Sequence, residues 1–129
     1  MMETVTFWIK IPDKRLNPNN VRGNSRWAAI ARNEAKKKSR NGAEMVVLSA
    51  MQQAGVLGNW KAATVEVKWY AETARKLDRD NARAMLKGVL DGCTRAGLWI
   101  DDNDVDIVRV EPLKDAAFPR VELTCRQTA

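Results

Sequence analysis

Apolar and polar residues alternate in four short segments, and this period of two predicts four β-strands. In the first segment Val5, Phe7 and Ile9 share one face, which we expect to lie against a core. The third segment is weakened as a strand by Pro112, and residues 114–119 predict a hairpin connection from it to the fourth. The four segments are residues 4–11, 64–70, 105–113 and 120–125.

Two longer segments predict helices. The first begins near Arg26, with Ser25 as its N-cap, and extends into the region of Met51, with a kink or break at Gly42. The second covers about residues 81–96, and its apolar positions fall on one broad face. The residues predicted for that core face are Ala82, Met85, Leu86, Val89, Leu90 and Cys93.

The resulting order, β-α-β-α-β-β, predicts an α+β fold in which two helices pack on a small mixed sheet. With 129 residues, the chain is expected to form a single domain, residues 1–129. No apolar run approaches the roughly 18 residues that span a bilayer, and the N-terminus lacks the features of a signal peptide. We therefore expect a cytoplasmic protein with no membrane partner, in which Cys93 and Cys125 are reduced core thiols.

Positive charge is concentrated near the N-terminus. The formal net charge is +6, and in the basic stretch, defined as residues 13–40, only Asp13 and Glu34 oppose the lysines and arginines. This stretch predicts binding to a polyanion, with a solvated helix that aids solubility as the alternative. The candidate DNA-binding residues are Lys14, Arg15, Arg22, Arg26, Arg32, Lys36, Lys37, Lys38 and Arg40.

The chain contains no histidine, which excludes Ser-His-Asp and Cys-His catalysis and the HExxH metalloproteases. Hydrolytic chemistry would have to come from carboxylates, lysines and a metal ion. Two acidic clusters provide carboxylates in an otherwise basic protein: Asp78 and Asp80 before the second helix, and residues 101–106 after it. Oxygen ligands of this kind suit Mg²⁺, which polarises phosphoryl oxygens and lowers the pKa of bound water.

Each cluster also has a simpler explanation when taken alone. Asp80 suits an N-cap of the second helix, and residues 101–106 are typical of an acidic turn. A calcium-binding EF-hand loop is rejected, because Ile107 and Leu113 stand where that loop needs Gly and Glu. Taken together, the clusters favour a cation site beside the polar face of the second helix, which carries Asp80, Ala84, Lys87 and Asp91, with Arg83 beside them.

The run from Asp78 to Asp102 resembles the RusA-like endodeoxyribonucleases, a family of Holliday-junction resolvases common in phages and prophages. The shared pattern is Asp-x-Asp-Asn at the start of a helix, then a lysine, an aspartate and a glycine-containing turn into Asp-Asp. The segment LNPNN at residues 16–20 also resembles the family's loop after the first strand. The residues that carry the pattern are Asp78, Asp80, Asn81, Lys87, Asp91, Gly97, Asp101 and Asp102.

The resemblance implies a Mg²⁺-dependent enzyme, with Mn²⁺ as a substitute, that works as a homodimer in the bacterial host cell. It implies symmetric cutting of two opposed strands of a four-way DNA junction, in recombination and repair. Asp78, Asp80 and Asp102 match the family's catalytic, metal-binding aspartates. Asp91, Asp101, Asn81 and Arg83 are assigned supporting roles.

The catalytic lysine departs from the family pattern. It usually follows the second aspartate by four residues, where this chain has Ala84. Lys87 precedes Asp91 at the family's interval, as though the helix had gained about one turn. Lys87 is therefore predicted to fill the catalytic basic position, with Arg83 as the alternative.

Two other functions were weighed. One is a non-catalytic basic DNA-binding module, in which the acids are only a cap and a turn. The other is a phosphatase built on Asp-x-Asp, which is disfavoured because Asp78 and Asp80 open a helix instead of ending an apolar strand. Trp27 is expected to pack, with base stacking as the alternative, and the tryptophans at 8, 60, 69 and 99 are expected to lie partly or wholly in the core.

Overall fold

The computed structural model describes residues 2–16 and 26–129, with only the backbone of Arg15. Predictions that concern Ser25, Arg22 and residues 17–20 lie outside the described residues. Short 3₁₀ turns cover Lys14–Leu16 and Asp102–Asp104. The regular elements are β1 (Thr4–Ile9), α1 (Arg26–Ala54), β2 (Ala63–Ala71), α2 (Arg79–Met85), α3 (Lys87–Arg95), β3 (Val105–Lys114) and β4 (Arg120–Gln127).

The four strands form one mixed sheet in the order β1-β4-β2-β3, which confirms the predicted α+β class. Strand β4 runs antiparallel to both β1 and β2, and β3 runs parallel to β2. The predicted hairpin between β3 and β4 is wrong, because β2 lies between them. Pro112 cannot donate a ladder hydrogen bond and so suits an edge strand, whereas β4, with buried Val121, Leu123 and Cys125, suits the interior.

The predicted second helix is present but divided. Leu86, at φ −93° and ψ 5°, separates α2 from α3, so residues 2–16 and 26–129 contain three α-helices instead of the two predicted. All six residues predicted for the core face are buried. The predicted kink or break at Gly42 is wrong, because α1 continues through it to Ala54.

The core lies between one face of the sheet and the helices. It contains the inward residues that alternation predicts for β1, β2 and β4, together with Val105 and Ile107 of β3. Trp60 and Trp99 are buried, as predicted, and Trp8 is half-exposed. Trp27 is 79% exposed, so the expectation that it packs within the chain is wrong. Both cysteines are free and buried, and burial raises the pKa of Cys125 to about 12. No described helix is long and apolar enough to cross a membrane.

Helices α1 and α3 pack unusually closely through two glycines of α3. A Cβ added at Gly88 would lie 2.8 Å from the carbonyl oxygen of Lys36. A Cβ added at Gly92 would lie 2.6 Å from the carbonyl oxygen of Arg40 and 2.8 Å from the Cβ of Ala43. Because real Cβ atoms do not approach so closely, these two positions need glycine. The packing fixes the basic part of α1 directly against the helix that begins at Lys87.

Candidate functional site

The first acidic cluster forms the start of α2. Asp78 is the N-cap, and its Oδ1 accepts a hydrogen bond of 2.7 Å from the backbone N–H of Asn81. The side chain of Asn81 donates to Oδ2 of Asp78 at 3.3 Å. The prediction that Asp80 is the cap is wrong, because the helix already begins at Arg79. Asp80 instead lies exposed in the first turn, where its negative charge favours the helix N-terminus.

The second cluster is linked to the polar face of α3 through Lys87. The ammonium Nζ donates to Oδ2 of Asp102 at 2.5 Å and lies 3.2 Å from Oδ1 of Asp91. Asp102 is only 8% exposed and is the one buried charged residue among those described, whereas the Lys87 side chain is 43% exposed. Two residues 15 positions apart are thus joined by an ion pair in which Asp102 is buried and the Lys87 side chain is partly exposed to solvent.

The ion pair shifts both pKa values. Burial by itself would raise the pKa of Asp102, but the hydrogen bond and positive charge of Lys87 outweigh it and hold that pKa below the usual value. The hydrogen bond to Asp102 raises the pKa of Lys87, against the opposing effect of burial and with further help from Asp91. Both partners therefore stay charged through the neutral range.

Arg83 fixes the backbone that carries Asp102. Its two terminal nitrogens donate to the carbonyl oxygens of Val105, at 2.6 Å, and Asp102, at 2.8 Å. Charge-assisted hydrogen bonds of this kind are stronger than neutral ones and tie α2 to the start of β3. The guanidinium is directed at backbone carbonyls, and Lys87 is the cation that contacts the site carboxylates.

Asp101 shapes the turn that places Asp102. Its Oδ1 accepts from the backbone N–H of Asn103 at 2.9 Å and caps the 3₁₀ turn Asp102–Asp104. Trp99, two residues before Asp101, is buried, and Gly97 adopts a φ of +83°, a conformation that glycine adopts without strain. This loop returns the chain from α3 so that Asp102 is directed inward towards Lys87.

The structure brings together four of the predicted site residues: Lys87, Asp91, Asp102 and Arg83. It does not assemble the three predicted metal ligands. Across residues 2–16 and 26–129, no three acidic, histidine or cysteine side chains are placed to share a metal ion. Asp78 is engaged as a helix cap and Asp102 is engaged by Lys87. The assignment of Asp78, Asp80 and Asp102 as metal ligands stays a prediction.

The described part of the basic stretch lies mainly on α1. There the side chains of Arg26 and Lys36–Lys38 are exposed, while those of Arg32 and Arg40 are half-buried. Arg40 Nε is the only buried side-chain nitrogen or oxygen of the described residues that has no hydrogen-bond partner. A groove of about 1470 Å³ between β1 and α1 is lined by Lys10, Lys37 and Lys38, among others, but not by the site carboxylates.

Sequence reasoning found the residues of the ion pair but missed the role of Arg83. The partners of Arg83 are backbone carbonyls, which exist at every position and therefore leave no sequence pattern. The pairing of Lys87 with Asp91 was accessible from their i, i+4 spacing.

The geometry can be set beside known proteins. A family model described as "Endodeoxyribonuclease RusA" matches residues 12–126 of this chain, from shortly after β1 to the last residues of β4. The match therefore includes both acidic clusters, Lys87 and the basic stretch. No curated protein matches the chain.

Proposed function

Because the chain belongs to the RusA endodeoxyribonuclease family, we propose that it is a Mg²⁺-dependent nuclease that resolves four-way DNA junctions by paired symmetric nicks. The observation that carries the proposal is the contact between Lys87 and the buried Asp102. Asp102 matches the family motif, and Lys87 precedes Asp91 at the family's interval. Folding brings Lys87 and Asp102 together from 15 positions apart. A buried carboxylate beside a partly exposed lysine is the arrangement expected where phosphoryl charge must be balanced.

In this proposal Asp78, Asp80 and Asp102 hold the ion, which supplies Lewis-acid polarisation of the phosphodiester when bound. Lys87 is positioned to balance negative charge on the phosphate oxygens. Arg83 positions Asp102 through the backbone, and Asp91 positions Lys87. Asn81 and Asp101 act as local supports, since one holds Asp78 and the other shapes the turn.

The basic stretch is proposed to bind the phosphates of the junction arms. Its lysines on α1 are solvent-exposed, and α1 is fixed against α3 by Gly88 and Gly92. A branched DNA that contacted Lys36–Lys38 would therefore meet a surface that is rigidly connected to Lys87. Such binding should weaken steeply with salt, because lysine contacts release counterions from DNA.

Paired nicks require two active sites, so we propose that the enzyme acts as a homodimer on branched DNA in a bacterial cell, encoded by a phage or prophage. Part of the surface of α1 is apolar and exposed, at Trp27, Ile30, Met45 and Leu48. Burial of such side chains between two copies would be favourable.

The proposal is tested with synthetic four-way junctions and Asp80→Asn. Asp80 is exposed in the first turn of α2, and asparagine has nearly the same size, so the variant should fold normally. We expect junction binding at low salt to be retained and cleavage in Mg²⁺ or Mn²⁺ to be lost. Cleavage at the wild-type rate would contradict the assignment of Asp80, and salt-sensitive binding without any cleavage by the wild type would favour a non-catalytic DNA-binding module.

A further inference from the structure

The two site carboxylates that the structure does bring together already enclose a cation, and it belongs to the chain itself. Lys87 Nζ lies 2.5 Å from Asp102 Oδ2 and 3.2 Å from Asp91 Oδ1. The predicted partners of Asp102 in a metal site, Asp78 and Asp80, lie at the start of α2, and Asp78 is engaged there as the cap. The arrangement of the described carboxylates thus differs from a preassembled divalent-cation site.

From this difference we infer that Lys87 is the built-in counter-ion of Asp102, and that a divalent cation binds Asp102 in competition with the Lys87 ammonium. The inference rests on the proposed function, which supplies the divalent cation. A magnesium ion would sit about 2.0–2.1 Å from Asp102 Oδ2, and the ammonium is already 2.5 Å from the same oxygen. Two positive charges so close together repel, so the ion binds more readily when the ammonium moves away.

The need for a counter-ion follows from burial. Asp102 is 8% exposed, and a buried carboxylate without a neutralising partner is strongly destabilising. Lys87 meets this need in the absence of a metal. Once a divalent ion takes over, the ammonium is released, and its side chain already has 43% of its surface in solvent.

The exchange requires little backbone movement. Arg83 holds the carbonyl oxygens of Asp102 and Val105 independently of Lys87, so the turn stays in place when the side-chain partner changes. A lysine ammonium is a compact charge on a flexible stem, which can change partners more readily than an arginine fork. The released Lys87 is then free to contact a phosphate.

Two consequences distinguish this exchange from a fixed Lys87–Asp102 bridge. Removing the ammonium should increase the affinity of the free protein for a divalent ion. A DNA phosphate that attracts Lys87 should also increase that affinity, and the ion should increase DNA affinity by the same factor. A fixed bridge that shaped the ion site would predict weaker ion binding when Lys87 is removed.

The direct experiment measures Mn²⁺ binding to the DNA-free protein by electron paramagnetic resonance of the unbound ion. It compares the wild type with Lys87→Met and with Arg109→Met, which removes the same charge from a 65% exposed side chain that pairs with Glu111 at 3.7 Å. We expect Lys87→Met to bind Mn²⁺ at least about tenfold more tightly, because the competing charge next to Asp102 is gone. Arg109→Met should change the affinity by less than about twofold, because salt screens exposed charges.

Affinity of Lys87→Met equal to or weaker than that of Arg109→Met overturns the inference. Mg²⁺-dependent cleavage by the wild type, measured in parallel, separates this failure from failure of the proposed function. If no variant binds Mn²⁺ and the wild type does not cut, both fail.

A measurement on the unaltered protein covers the case in which Lys87→Met does not fold. In metal-free protein labelled with ¹⁵N-lysine, the carboxylate contacts should protect the Nζ hydrogens of Lys87 from exchange with solvent, so that the Nζ resonance is observed. It should then shift or broaden as Mg²⁺ is added, with the same saturation curve as ion binding. An Nζ resonance unchanged at saturating Mg²⁺ overturns the inference.

Discussion

Two regions of this protein place one cation between two carboxylates, and they differ in almost every other respect. Arg120 on β4 is 2.9 Å from Asp115 and 3.0 Å from Glu122, and its guanidinium lies 3.9 Å from the ring centre of Tyr70. Its partners are two and five residues away along the chain. Lys87 instead bridges α3 to the turn before β3, and one of its partners, Asp102, is buried.

The difference indicates which region is suited to chemistry. Arg120 uses two nitrogens in fixed directions and stacks on an aromatic face, so it is well satisfied and hard to replace. Lys87 is a single compact charge beside a carboxylate that needs neutralisation. A divalent cation can substitute for such an ammonium, but not for a stacked guanidinium. We therefore interpret the Arg120 cluster as structural and the Lys87 cluster as functional.

The test with the largest expected effect replaces one carboxylate in each region by the corresponding amide. Asp102→Asn should lower the rate of junction cleavage by at least about a hundredfold, the scale on which a charge-stabilising group in an active site acts. Glu122→Gln removes a carboxylate from the Arg120 cluster and should leave the cleavage rate unchanged, because Glu122 pairs with Arg120 and not with any residue of the Lys87 cluster. Single-turnover cleavage of a labelled junction measures both, and equal losses in the two variants would contradict the distinction.

The next test concerns the packing beneath the Lys87 cluster. Gly92→Ala places a Cβ against the backbone and Ala43 of α1 and should destabilise the fold by about 1–3 kcal/mol. Gly42→Ala is the control, since it lies in α1 with nothing within 4 Å of an added Cβ. That change should be neutral or stabilising by up to about 1 kcal/mol, because alanine favours helix. Denaturant unfolding followed by circular dichroism gives both values.

A Gly92→Ala protein as stable as the Gly42→Ala protein would show that α1 can move away from α3 without cost. The basic surface would then be less rigidly connected to Lys87 than the contacts indicate. The contrast between the Lys87 cluster and the Arg120 cluster would then also be weaker.

The third test removes the arginine from each region. Arg83→Met leaves the carbonyl oxygens of Asp102 and Val105 without their donors and should cost about 1–3 kcal/mol of stability. Arg120→Met removes two ion pairs and the stacking on Tyr70 and should also lower stability, but it should leave the cleavage rate unchanged, because Arg120 contacts none of the Lys87 cluster. If Arg83 only positions Asp102, Arg83→Met should reduce the cleavage rate at saturating Mg²⁺ more than it changes junction affinity.

These regions also show what sequence could and could not predict. Alternation identified all four strands and the inward faces of β1, β2 and β4, because one buried side leaves a period of two in the residues themselves. Strand order was not accessible: residues 114–119 have the composition of a hairpin, yet β4 inserts between β1 and β2. Pairing depends on which edges remain open after the whole chain folds, and adjacent residues carry no record of it.

The candidate site divides in the same way. The acidic clusters and Lys87 were visible as spacing and as family pattern, whereas their partners were not. The N-cap was the alternative explanation for Asp80, although Asp78 is the cap, because an aspartate at either position suits a cap and only the true start of α2 decides. Trp27 was expected to pack, but its helix presents it to solvent. Contacts between distant residues and the backbone, such as those of Arg83, require coordinates.

The smallest expected effect concerns pH, and it follows from the pKa shifts of the Lys87–Asp102 pair. Asp102 has a folded pKa below its unfolded value of about 3.9, so its contribution to stability is present above that pH and is lost as pH falls through the folded pKa. Lys87 has a folded pKa above its unfolded value of about 10.4, so its contribution is present below that pH and is lost as pH rises through the folded pKa. The difference in melting temperature between the wild type and Lys87→Met should therefore be constant between about pH 5 and pH 9 and should shrink at lower and higher pH.

The corresponding difference for Arg109→Met should stay small throughout, because its ion pair is exposed. A Lys87→Met difference that stays the same down to pH 2.5 would mean that Lys87 stabilises the fold through its packed stem and not through its charge, and the contrast between the two cation clusters would then no longer hold.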